Sequence, residues 1–96
     1  MDKLDIPRRV PGFKIERMDN ELLLFHPAQT KIMYCNETAS LIWELCDGER
    51  TGRAIIAALQ EAYPEAGDTI AREVEATLKL FSEHSAIEFV WPSDAS

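Results

Sequence analysis

The sequence predicts an α+β domain of winged helix-turn-helix type, a three-stranded antiparallel sheet followed by three helices, and two observations carry that expectation. Between residues 13 and 34, three short runs separated by turn-forming residues suit strands, the first by alternating apolar and polar side chains and the next two by their apolar and β-branched content. From residue 36 onward the apolar positions recur at intervals of three and four, with helix caps written at the junctions.

Residues 1–11 have no periodic pattern, and Pro7 and Pro11 favour an extended N-terminal arm. The first strand alternates Phe13 and Ile15 against Lys14 and Glu16. Asp19 and Asn20 suit a two-residue hairpin turn, after which Glu21-Leu22-Leu23-Leu24-Phe25-His26 returns as the second strand. A turn around Pro27, Ala28 and Gln29 leads into the third, Thr30-Lys31-Ile32-Met33-Tyr34, whose residues suit a pleated surface. If Asp19-Asn20 and Ala28-Gln29 form the turn tips, Ile15 opposes Leu24, Phe13 opposes His26, Leu24 opposes Met33 and Leu23 opposes Tyr34. The sheet is then apolar on both faces. Three helices cover one of them, so the other, with Leu23, Phe25, Ile32 and Tyr34, requires a cover supplied by the arm, by a second copy or by a partner.

Residues 36–51 write one short helix with both ends marked. Asn36 is a good N-cap and Glu37 places negative charge in the first turn, where the helix dipole favours it. Ala39, Leu41, Ile42, Leu45 and Cys46 make the apolar stripe, with Trp43 beside it. Gly48 is expected to end the helix after Asp47, and Thr51 to cap the next. That second helix carries Ile55, Ile56, Leu59 and Tyr63 at helical spacing and stops at Pro64. The third starts near Asp68, with Ile70, Val74, Leu78 and Phe81 as its stripe and Ala71 and Leu80 beside it, and fades by His84 and Ser85. A short apolar stretch, residues 87–91, reads as a further strand.

Ninety-six residues suffice for one domain with a single modest core. The chain lacks an apolar run long enough to cross a membrane and a signal-peptide design at its start, which points to the cytoplasm. Cys35 and Cys46 are too few for a disulfide framework. Together with His26 and His84 they lack the short spacing of metal ligands, and no motif sets a base beside a nucleophile, so no metal, cofactor or catalysis is expected. Seventeen acids against ten bases give a net charge of −7. The third helix offers only Arg72 and Lys79 against Asp68, Glu73, Glu75 and Glu83, which argues against nucleic acid as a partner.

What remains is the edge of the third strand. A peptide can add itself there as another strand, gaining main-chain hydrogen bonds. The alternative is that the chain itself or a dimer partner caps this edge.

The run Asn36-Glu37-Thr38-Ala39, the Ile42 and Leu45 spacing, Cys46-Asp47-Gly48, Thr51 and the upstream Leu22-Leu23-Leu24-Phe25-His26-Pro27 together resemble the PqqD family. The likeness spans residues 7–90, with Cys35 where the family usually has Leu and with Gly52 and Ala54 in place of Val and Glu. It implies a domain over residues 12–91, between the arm of residues 1–11 and a polar tail at 92–96. It also implies a peptide-recognition element. Such a protein holds the leader of a ribosomally made precursor peptide and presents it to a modifying enzyme, often a radical S-adenosylmethionine enzyme. Carried over by position, the peptide-binding residues are Lys31, Ile32, Met33 and Tyr34 on the strand and Ala71, Val74, Glu75 and Leu78 on the facing helix. The competing reading is a non-catalytic subunit, monomeric or homodimeric, that docks through the face bearing Leu23 and Phe25.

Overall fold

The computed structural model describes residues 5–30 and 32–90. Five strands and three helices follow in the order β1 (Ile6–Arg9), β2 (Lys14–Met18), β3 (Glu21–Phe25), β4 (Ile32–Cys35), α1 (Glu37–Leu45), α2 (Gly52–Ala62), α3 (Asp68–Glu83) and β5 (Ile87–Val90). The expected architecture is present. β2, β3 and β4 form the antiparallel meander that precedes the helices, and β1 and β5 form a separate two-stranded antiparallel ribbon.

The register of the meander is the one its turns dictate. Ile15 faces Leu24 across the first pair, while Leu23 faces Tyr34 and Leu24 faces Met33 across the second. Asp19, at φ 58°, takes the left-handed conformation that the tight first turn needs. Because side chains alternate along a strand, Leu22, Leu24, Met33 and Cys35 share one face, and all four are buried. They meet Ile42 and Trp43 of α1, Ile55, Ile56 and Leu59 of α2, and Ile70, Val74, Leu78 and Phe81 of α3 in one core. Trp43 meets Phe81 edge to face at 5.4 Å and Phe13 at 6.3 Å, an aromatic run from the sheet to α3.

The caps act as their residue types predict. Asn36 Oδ1 accepts from the Ala39 N–H at 2.9 Å, and Thr51 Oγ1 from the Ala54 N–H at 3.1 Å. Helix α1 nevertheless ends at Leu45, two residues short of the expected stop. The backbone beyond it serves another strand: the Arg9 N–H donates to the Cys46 carbonyl at 3.1 Å, and the Gly48 N–H donates to the Pro7 carbonyl at 3.0 Å.

That strand is the main departure from expectation. The arm predicted over residues 1–11 contains β1, which pairs with β5 from Ile6 opposite Val90 to Arg9 opposite Ile87. Residues 46–48 close its other side. Pro7 is tolerated because one missing N–H costs little in a strand of four residues, and its ring is fully buried. Arg9 spans to the end of α1, giving Nη1 to the carbonyls of Trp43 at 2.9 Å and Glu44 at 2.7 Å. Arg8 pairs with Glu88 at 2.6 Å on the ribbon surface. Committed to β5, residues 6–9 do not cover the outer face of the meander.

Candidate functional site

Two strand edges receive different treatment. β1 is closed on both sides, whereas among the described residues β4 pairs only with β3. In an antiparallel ladder every other residue of an edge strand turns its N–H and C=O away from its neighbour, so β4 presents main-chain donors and acceptors to whatever lies alongside.

Alongside it lies a groove. Tyr34 and Cys35 of β4, Asn36, Thr38 and Ala39 at the start of α1, and Glu73, Ala76, Thr77, Leu80 and Phe81 of α3 line a hollow of about 270 Å³. Its floor is apolar, with Cys35 and Phe81 buried. Its rims are apolar and accessible: Tyr34 is 55% exposed and Leu80 42%. Ile32, at 64%, extends the exposed surface along β4. Large apolar side chains are seldom left this bare without a partner, and here they flank an unpaired strand edge.

Tyr34 and Ile32 point to the outer face of the meander, the side away from the helices. Leu23 and Phe25 stand beside them, half-buried, and Met18 is 41% exposed at the far strand. The second apolar face read from the sequence is therefore present and uncovered among the described residues. Tyr34 donates to Glu21 across this face, and that hydrogen bond to a carboxylate pushes its pKa up.

The predicted strand residues divide. Ile32 and Tyr34 are accessible, Met33 faces the core at 8% exposure, and Lys31 lies outside the described residues. The predicted helix residues lie on different sides of α3. Val74 and Leu78 have no exposed surface and belong to the core. Ala71 is half-buried against the core. Glu75 lines a different hollow, about 620 Å³, on the opposite flank of α3 with Asp5, Arg72, Lys79, Glu83 and Phe89. The wall facing β4 is instead Glu73, Thr77 and Leu80, with Ala76 at the crest between the two hollows. The shift is one step around the helix. Residues 70, 74, 78 and 81 form the stripe that packs inward, and their immediate neighbours on one side form the groove. Leu80 carried the signal, as a large apolar residue off the stripe.

The two thiols are held in their unreactive form. Burial pushes the Cys35 thiol up to about 11 and the Cys46 thiol up to about 12, so both stay protonated at neutral pH. Cys46 donates instead to the Ile42 carbonyl at 3.1 Å. Among the described residues no group of His, Cys, Asp and Glu is placed to hold a metal ion. No helix among them is long and apolar enough to cross a membrane. The arrangement offers a strand-shaped binding surface with apolar walls.

Residues 21–87 match the family model described as coenzyme PQQ synthesis protein D (PqqD). A PqqA binding protein of Klebsiella pneumoniae (strain 342) is 37% identical over 70 residues, covering 70% of this chain and 73% of its own. A PqqA binding protein of Azotobacter vinelandii (strain DJ / ATCC BAA-1303) is 34% identical over 87 residues, with 88% and 90% covered. Among solved structures, TbiB1 in complex with the TbiA(beta) leader peptide superposes with a TM-score of 0.71 over 84% of this chain and 94% of that one. At 21% identity that likeness is one of fold.

Proposed function

The chain belongs to the PqqD family, and from that premise we propose that it is a peptide-binding accessory protein without chemistry of its own. It takes the leader of a ribosomally made precursor peptide as a fourth strand beside β4 and presents it to a modifying enzyme, a radical S-adenosylmethionine enzyme by family resemblance. The setting is cytoplasmic synthesis of pyrroloquinoline quinone or a related peptide-derived product. One observation carries the reading: the edge of β4, unpaired among the described residues, faces a groove whose exposed walls, Tyr34 and Leu80, are apolar. Main-chain hydrogen bonds along the edge provide affinity for any extended peptide, and the groove selects among side chains. The relatives that carry the name PqqA binding protein, and the fold neighbour seen with a leader peptide, support a peptide as the ligand.

Titrating isotope-labelled protein with synthetic PqqA peptide tests the assignment. Amides of β4 and of Ala76, Thr77 and Leu80 are expected to shift first. Shifts confined to α2 would contradict it.

The exposed outer face supports a second role in the same protein. Leu23, Phe25, Ile32 and Tyr34 form the surface on which the modifying enzyme or a second copy docks. Sedimentation of wild type and of Phe25→Ser separates the two. A dimer that the substitution dissolves assigns the face to self-association, and a monomer in both cases assigns it to the enzyme.

A further inference from the structure

Among the described residues that line the β4–α3 groove, Glu73 carries the formal charge and the others are apolar, hydroxylic or amide. It is exposed, and among the described residues it makes neither an ion pair nor a hydrogen bond. Other acids are engaged: Glu88 with Arg8, Glu44 with Arg17, and Asp47 with Arg50. The chain as a whole carries −7, so the field outside the groove has the same sign as the charge within it.

On the reading that this groove holds a peptide strand, we propose that Glu73 makes the site selective for a basic peptide, one that places a Lys or Arg opposite α3 when its apolar residue lies between Tyr34 and Leu80. Both halves of the preference have a physical cause. A lysine stem covers apolar wall while its ammonium reaches the carboxylate, so a basic residue loses little desolvation energy and gains an ion pair. An acidic residue in the same place meets Glu73 at close range and the net charge at long range, so it is rejected as well as unrewarded. Since the pair sits on an open rim, its contribution is modest and salt-dependent. A basic residue binds about 2- to 5-fold tighter than a neutral isostere, the range of an exposed ion pair.

Selection from a displayed library of random twelve-residue peptides tests this without presuming a ligand. Peptides retained by the full chain are expected to carry Lys or Arg at a fixed spacing from an apolar residue. The same selection on Glu73→Lys is expected to turn that position to Asp or Glu. Glu73→Gln, measured on one retained peptide and its norleucine analogue, is expected to abolish the difference between them, as is salt near 1 M, where screening acts over about 3 Å. Glu73 is exposed, so these variants keep the wild-type circular dichroism. Retained peptides that are neutral at every position, or a preference unchanged in Glu73→Lys, overturn the inference while leaving the groove intact. If the retained peptides leave the amides of Tyr34 and Thr77 unshifted, or if none is retained, the groove assignment fails and this inference fails with it.

Discussion

β1 and β4 are both strands of four residues, yet among the described residues one is sealed and the other open. β1 is bonded to β5 on one side and to the loop after α1 on the other, and its side chains Ile6 and Pro7 are buried. Among the described residues β4 is bonded on one side, and alternate side chains along it, Ile32 and Tyr34, are mostly exposed. A strand edge left open invites pairing with any extended chain, and proteins ordinarily block such edges. Among the described residues one edge is sealed and the other is bare beside a groove with apolar rims, which is why the proposed peptide strand is set against the open one.

Two leucines two residues apart on α3 separate these regimes most sharply. Leu78 is fully buried and Leu80 is 42% exposed on the groove rim. Leu78→Ala is expected to cost about 2–5 kcal/mol, as deleting a buried leucine side chain generally does. Chemical denaturation measures this, and peptide affinity should fall only as the folded fraction falls. Leu80→Ser is expected to change stability by less than about 0.5 kcal/mol, as at an ordinary surface position. It should nevertheless weaken peptide binding several-fold. If the two variants exchanged these effects, the groove would lie elsewhere.

The closed side has its own test in Gly48. Its φ of 80° is left-handed, and a Cβ there would meet Arg8 Cδ at 3.2 Å and Cγ at 3.3 Å. Gly48→Ala therefore forces strain into the backbone and pushes on the strand that the same residue's N–H holds through Pro7. A loss of about 1–3 kcal/mol in thermal or chemical unfolding is expected. Groove affinity should be unchanged, because β1 and β4 belong to different sheets. A variant as stable as wild type would mean that β1 is not held by this loop.

What the sequence made legible follows the same division. The meander, its register and the three helices were readable because their signals are local: alternation, turn residues and caps lie within a few residues of the structure they specify. β1 was not. Ile6-Pro7-Arg8-Arg9 does not alternate, since its two buried residues are adjacent, and its partner β5 lies some 80 positions away. The early end of α1 was hidden for the same reason, because the carbonyl of Cys46 and the N–H of Gly48 are claimed by that distant strand. The groove was half legible. Its strand side follows from the register, whereas of the helix residues expected to face it, Ala71, Val74, Glu75 and Leu78, the core consumes Val74 and Leu78. A helical period shows which face packs inward. It does not show which neighbouring face looks onto an open edge.

Asn36 offers the finest comparison, because it belongs to both regions: it caps α1 through Oδ1 and also lines the groove. Asn36→Ala removes the cap and is expected to cost about 1 kcal/mol of stability. Asn36→Asp keeps an acceptor at the same place and adds a negative charge near the positive end of the α1 dipole, so its stability should match wild type. Any change in peptide affinity then has a separable origin. A loss in Ala alone marks the cap as the means by which α1 holds the end of β4 in place, whereas a gain in Asp for basic peptides adds a second carboxylate to the wall that already carries Glu73. Equal affinity in all three would place Asn36 wholly in the scaffold and move the end of the bound strand further back along β4, toward Ile32.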